Sequence, residues 1–170
     1  MADARVVAVV GNPNPRSRTC DVAALVAGRV GELIAVDEPL VIDLVDHAPK
    51  LLQRGHDDVA ALRRSVLAAH AVVVASPTYK AAYTGLLKLF LDQFDAGELG
   101  GTPTVPVMTG GSLSHSLAVD VHLVPVLTEI GASCPARGLY VWGEQLDAPG
   151  DAIDAWFARA RPLFERALAR

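Results

Sequence analysis

Val72 to Phe94 reads VVVASPTYKAAYTGLLKLFLDQF. The β-branched run Val72 to Val74 has the composition of a buried strand, and Ser76-Pro77 is expected to stop it, because proline cannot continue a central ladder. A loop over Ser76 to Tyr83 follows. Thr84 then suits the cap of a helix carrying Leu86, Leu87, Leu89, Phe90, Leu91 and Phe94. Strand, polar loop and helix make the βα half of a crossover unit. In open α/β sheets the loops at the carboxyl ends of strands line the ligand crevice, so Pro77 to Tyr83 is the first candidate site.

Upstream, Arg5 to Val10 reads as a central parallel strand ending at Gly11. The segment Gly11-Asn12-Pro13-Asn14-Pro15-Arg16-Ser17-Arg18-Thr19 cannot be regular, and Val22, Val26, Val30 and Leu33 then recur with helical spacing. The loop therefore ends at a helix N-terminus near Ser17 to Thr19. Unpaired N–H groups, the positive end of the helix dipole, two guanidinium groups and two hydroxyls meet there, which suits a phosphate monoester. A capped, solvated helix start fits the same residues. Leu40 to Leu44 reads as a second strand, Asp46 to Gly55 as turns, and Asp57 to Ala69 as a helix with Val59, Leu62, Val66 and Leu67 inward and Arg63 and Arg64 outward. His47, His56 and His70 have no spaced partner of the H-x-x-x-H kind and are read as surface or structural residues.

Downstream, Thr104 to Met108 forms a fourth strand that ends in Thr109-Gly110-Gly111-Ser112. These two glycines allow close approach to a flat ligand, although a plain tight turn fits equally. The helix over Ser114 to Ile130 contains Pro125, which deprives the Val121 carbonyl of its donor, so a bent or widened turn is expected near Asp120 to His122. His122 is a further functional candidate there. Gly131-Ala132 closes that helix and Leu139 to Trp142 gives a fifth strand. Ile153, Trp156, Phe157, Ala160, Leu163, Phe164, Ala167 and Leu168 then mark a last amphipathic helix, which assigns Trp156 to the core.

The element order predicts an α/β fold: a doubly wound five-stranded parallel sheet of order 2-1-3-4-5 with helices on both faces, in a single domain over residues 1–170. A net charge of −4 without a basic stripe argues against nucleic acid and anionic membranes. No apolar run nears the roughly 20 residues of a membrane helix, and the N-terminus M-A-D-A-R has no apolar segment, so a soluble, cytoplasmic protein is expected. Cys20 and Cys134 form no metal or redox motif and read as free thiols. No G-x-G-x-x-G follows the first strand and no G-K-[ST] occurs, which excludes a dinucleotide fingerprint and a P-loop. Acidic residues at the ends of the first and third strands, which a response regulator would need, are also missing. In the predicted order the loops after the first, third and fourth strands converge, and a ligand with a phosphate at one end and a planar ring at the other fits them.

These residues resemble the NAD(P)H-dependent FMN reductases of the flavodoxin-like fold, most of all the reductase partners of two-component alkanesulfonate monooxygenases. The resemblance rests on Gly11 with Ser17-Arg18-Thr19, on Ser76 to Ala81 with Tyr83 to Lys88, and on Thr109 to Ser112 with His115, Asp120 and Pro125. It spans Val6 to about Ala132, and its middle block is the specific part. It implies FMN and NAD(P)H as cofactors, with Ser17, Arg18 and Thr19 on the FMN phosphate. Pro77, Thr78 and Tyr79 would then contact the isoalloxazine and Gly110, Gly111 and Ser112 border the ring; Asn12, Arg16, Lys80, Tyr83 and His115 complete the cofactor-binding set. Asn12 stands where relatives usually have serine and Asn14 where they often have arginine, and Arg16 is expected to compensate. Val121 and His122 occupy the neighbourhood where relatives carry a tyrosine or histidine at a widened turn.

The implied activity is hydride transfer from nicotinamide to flavin, with reduced FMN supplied to a partner monooxygenase. That chemistry asks for no protein nucleophile and no metal, so no catalytic side chain is assigned. Two alternatives share the FMN residues: a reductase that retains its flavin and acts on quinones, azo or nitro compounds, and a flavodoxin-type electron carrier. NADPH versus NADH stays open. The apolar arc of the helix Thr84 to Phe94 is too wide for one sheet face, and with the resemblance it predicts a homodimer or homotetramer.

Overall fold

The computed structural model describes residues 5–53 and 55–169. Residues 1–4, read above for the lack of an apolar leader, and residue 54, in the turn-rich stretch, lie outside the described residues, as does residue 170. Among the described residues five strands, β1 (Val6–Val10), β2 (Leu40–Asp43), β3 (Ala71–Pro77), β4 (Thr104–Gly110) and β5 (Leu139–Trp142), pair in parallel in the order β2-β1-β3-β4-β5. The expected flavodoxin-like topology is therefore present. Among the described residues six α-helices accompany them: α1 (Arg18–Gly31), α2 (Ala48–Leu51), α3 (Asp57–Leu67), α4 (Gly85–Leu91), α5 (Val124–Glu129) and α6 (Gly150–Leu168).

Strands β1 and β3 are buried at every position, and alternation sends their side chains into two separate layers. Val7, Val9, Val72 and Val74 pack with Leu87, Phe90 and Leu127 on one face. Val6, Ala8, Val10, Val73 and Ala75 pack on the other with Val22, Val26 and Val30 of α1 and Ile153, Trp156 and Phe164 of α6. Trp156 is core, as its spacing predicts, and its indole N–H donates to the Arg137 carbonyl at 2.8 Å.

Proline does not stop β3. The strand runs through Ser76 and Pro77, which pair with Met108 and Thr109 of β4, while pairing with β1 ends at Val10↔Ala75. Gly11 N–H donates to the Ala75 carbonyl, so the Pro77 nitrogen, two residues on, faces the side where β1 has already ended. The Gly11 carbonyl is served instead by the Thr84 hydroxyl. β4 likewise extends two residues beyond Met108. Its Pro106 nitrogen lies on the side of Thr104 N–H, which donates to Ser133, just before the ladder with β5 opens at Val107↔Leu139.

Other expectations change in detail. β2 ends at Asp43, one residue early, and a 3-10 turn over Leu44–His47 leads into the short helix α2, which carries Pro49 in its permissive first turn, where turns were expected. Arg63 does not point outward; it pairs with Glu98 and lies over the Phe94 ring at 5.6 Å. The helix from Thr84 ends at Leu91, and its second face is covered by Leu44 and Leu51, leaving Leu86 and Leu89 half-buried. Its wide apolar arc is thus mostly satisfied within the chain, so it does not by itself require a second copy. The expected helix over Ser114–Ile130 is a 3-10 turn at Leu113–His115, a π-turn at Val119–Leu123 and then α5, which places the widened turn where Pro125 predicts it. β5 begins at Leu139, with only an isolated Pro103↔Ser133 bridge nearer Cys134.

Candidate active site

A cleft of about 750 Å³ opens at the carboxyl ends of β1, β3 and β4. Its first wall is the loop between β1 and α1. Asn12 is buried; its Oδ1 accepts Asn14 N–H at 2.9 Å and its Nδ2 donates to Thr19 Oγ1 at 3.0 Å. Thr19 Oγ1 in turn lies 2.7 Å from Thr109 Oγ1. Asn12, in an Asx turn, and the Thr19 hydroxyl therefore brace the loop at the edge of the cleft. Ser17 caps α1 by accepting Cys20 N–H at 3.3 Å, so the N–H groups of Arg18 and Thr19, in the first turn, lack intrahelical acceptors. Arg16 adopts a left-handed φ of 50° and its guanidinium is exposed. The Asp43 carboxyl at the end of β2 is raised above its ordinary pKa by burial, against the lowering effect of the Val45 and Arg16 backbone N–H groups.

The second wall follows β3. Thr84 N–H donates to Ser76 Oγ at 3.0 Å and the Thr84 hydroxyl caps Leu87 N–H at 3.1 Å, which fastens the whole segment at both ends. A Cβ on Gly11 would meet Leu87 Cβ at 2.4 Å, so only glycine lets α4 pack this close to β1. Between these anchors Tyr79 and Ala82 close a tight hairpin, exchanging N–H···O bonds of 2.9 and 3.1 Å, with Lys80 and Ala81 both left-handed at φ 53° and 63°. That is the geometry of a type I′ turn made without glycine or asparagine. The hairpin aims Tyr79 at the cleft, where its hydroxyl accepts from Asn14 Nδ2 at 3.4 Å. Thr78 N–H reaches the Thr109 carbonyl at 2.7 Å, while its buried Oγ1 has no partner.

The third wall is the end of β4. A Cβ on Gly110 would lie 2.1 Å from Tyr140 Oη, and Tyr140 Oη donates to the Ser112 carbonyl at 3.0 Å. Tyr140 thus backs a surface on which Gly110 must be glycine, and Gly111 beside it has open space. The turn after β5, with Gly143, Glu144, Leu146 and Asp147, closes the cleft, and Asp147 Oδ1 accepts from Arg18 Nη1 at 3.1 Å.

Of the residues predicted from sequence, Asn12, Arg16, Ser17, Arg18, Thr19, Pro77, Thr78, Tyr79, Gly110 and Gly111 line this one cleft. Lys80, Tyr83, Ser112 and His115 do not. Lys80 sits at the hairpin tip, Tyr83 packs against the core, Ser112 caps the 3-10 turn through Ser114 N–H at 3.2 Å, and His115 is exposed within that turn. Asn14, Pro15 and Thr109 also line the cleft, in loops that the sequence placed at the crevice without naming these residues as ligands, and the whole β5 turn was overlooked. The signal was Trp142-Gly143 at the end of a strand next to β4, since the predicted strand order already placed that turn on the same rim.

A groove of about 820 Å³ lies at the opposite, amino-terminal end of the sheet, between Gly100–Pro103, Ser133 and α6. Size does not decide between them: ligands of parallel sheets bind at the carboxyl ends, and only the 750 Å³ cleft joins a basic helix start to an unsatisfied hydroxyl. Those features fit FMN. The helix start and guanidiniums suit its phosphate, and the Thr78 hydroxyl and the side-chain-free edge at Gly110 and Gly111 suit a flat, hydrogen-bonding ring.

Fold and cleft together define a flavodoxin-like protein built for a phosphorylated planar cofactor. The chain belongs to the NADPH-dependent FMN reductase family, whose sequence model matches residues 4–147. It is an NAD(P)H:FMN oxidoreductase. A protein named FMN reductase (NADPH) from Pseudomonas aeruginosa is 32% identical over 168 residues, covering 96% of this chain and 90% of its own. An oxidoreductase of Corynebacterium diphtheriae superposes with a TM-score of 0.85 at 27% identity, covering 99% and 98% of the two chains. The apo form of an NADH:FMN oxidoreductase, EMOB, gives 0.75 at 30% identity, covering 98% and 87%. Among the described residues no helix is long and apolar enough to cross a membrane.

Proposed function

We propose that the described cleft binds FMN as part of a single domain, with the phosphate on Arg16, Ser17, Arg18 and the first-turn N–H groups of α1, and the ring between Thr78-Tyr79 and Gly110-Gly111. The observation that carries this reading is one cleft holding both a basic, N–H-rich helix start and a flat edge with an orphaned hydroxyl. Bound there, FMN accepts hydride from NAD(P)H, and reduced FMN passes to a separate flavin-dependent monooxygenase. The protein's task is to orient the flavin and to leave one face open for the nicotinamide. Arg18 and Arg16 supply charge, Tyr79 one edge of the ring pocket, and Tyr140 the rigid backing of the other. Lys80, Tyr83, Ser112 and His115 act from outside the cleft lining, on the assembled complex. The chain works in the cytoplasm as a homodimer or homotetramer, and the exposed Leu113, Leu117 and Val121 support association.

Steady-state assays with NADPH, NADH and added free FMN test the reaction; turnover of free FMN supports release to a partner, and a protein that retains its flavin and does not turn over added FMN contradicts it. The phosphate assignment has its own test. A charge-assisted contact contributes roughly 1.5 to 3 kcal/mol, so Arg18→Ala should weaken FMN about tenfold or more and leave riboflavin nearly unchanged. Equal losses for the two flavins would remove the assignment.

A further inference from the structure

Arg18, the cation expected to meet the flavin phosphate, already holds an anion of its own. Its Nη1 lies 3.1 Å from Asp147 Oδ1, and the two residues reach across the cleft from α1 and from the turn after β5. Both side chains are mostly exposed, 61% and 73%, so the pair is loosely held and contributes little to the fold. Asp147 is not needed to shape its turn either, because its own backbone N–H donates to the Glu144 carbonyl at 3.1 Å while its side chain bonds to Arg18. Glu144 lines the same wall and adds to its negative charge.

Resting on the FMN reading above, we infer that Asp147 is a built-in competitor of the flavin phosphate for Arg18 and sets how readily this chain releases FMN. A phosphate dianion entering the cradle must take Arg18 from Asp147, and the displaced carboxylate stays near the bound phosphate. Each effect weakens FMN and neither touches riboflavin, which has no phosphate. A reductase that must hand its reduced flavin to another protein gains from this arrangement, since the site grips the ring while part of its phosphate grip is already engaged. Asp147 is thus a specificity-determining residue, acting through Arg18.

Titration of FMN and riboflavin by fluorescence quenching against the wild-type chain, Asp147→Asn, Asp147→Ser and Arg18→Ala tests this at low and high salt. Both Asp147 variants should bind FMN about fivefold more tightly and riboflavin within about twofold of wild type, and the gain should shrink as salt screens the charges. Thermal melts of the flavin-free variants identify any that fail to fold. An unchanged or lower FMN-to-riboflavin affinity ratio in both Asp147 variants, with Arg18→Ala still selective against FMN, overturns the competition and leaves the phosphate site standing. Loss of that selectivity in Arg18→Ala removes the phosphate site, and the competition with it.

Discussion

A buried hydroxyl without a partner, such as that of Thr78, costs free energy until something bonds to it. Thr78→Val should therefore leave the melting temperature of the flavin-free chain unchanged or higher, while weakening FMN and riboflavin alike by roughly three- to tenfold. A lower melting temperature with unaltered flavin affinity would place the hydroxyl's partner inside the fold. Cys134 gives a second residue-scale outcome. Burial, and then the Asp120 carboxylate, push its thiol from the ordinary 9.0 up to about 11. Above pH 9.0 the unfolded chain gives up a proton that the folded chain keeps, so this residue's contribution to stability is full below 9.0 and is lost as pH rises towards about 11. Denaturation across that range should show the decline, and Cys134→Ser should flatten it. At the same scale Arg18 and Tyr79 were legible in the sequence, because a helix start and an aromatic after a strand announce themselves. The orphaned state of Thr78 was not, since it depends on β3 continuing to Pro77 and pairing with Thr109.

Elements whose local pattern agrees with their tertiary setting, such as α1 and α6, were legible from spacing alone. Those imposed by neighbours were not. The hairpin at Tyr79–Ala82 has neither the asparagine nor the glycine that would announce it, and two left-handed non-glycine residues persist there because Ser76 and Thr84 fix both ends. Replacing Lys80-Ala81 by Asn-Gly should then stabilise the chain by roughly 1 kcal/mol, read as a higher denaturation midpoint. A lower midpoint would mean that the hairpin does not hold this conformation. The place of the π-turn was legible because Pro125 removes a single donor at a known position, but whether the helix would bend or widen there was not, and neither was the turn's use. There Asp120 Oδ1 accepts Gly138 N–H at 3.0 Å and its Oδ2 accepts from Arg137 Nε at 2.7 Å, which ties the widened turn to the entry of β5.

On the scale of the molecule, the five-stranded order was legible from the alternation of strand and helix patterns, whereas the surface left over for association was not. α4 looked unsatisfied in one dimension only because the segment Leu44–Leu51, whose first residue was read as the end of a strand and whose last six were read as turns, folds over it. Several large apolar side chains remain exposed, among them Leu52 just after α2, and three of them, Leu113, Leu117 and Val121, are 54%, 58% and 59% accessible along the segment that leads into α5. Sedimentation at micromolar concentration should show a dimer or tetramer, and Leu117→Glu with Val121→Glu should reduce it to the 17.9 kDa chain. A wild-type species of 17.9 kDa would end the proposal of self-association. The prolines of β3 and β4 bear on the chain before it folds. Ala71–Ala75 is short, valine-rich and uncharged, the composition of an amyloid-forming segment, and Thr104–Met108 would be another but for its proline. Pro77 stands two residues beyond the first and Pro106 interrupts the second, each where the finished sheet asks nothing of its nitrogen. During synthesis the same two residues act as gatekeepers that keep nascent copies from stacking strand on strand, at no cost in native hydrogen bonds.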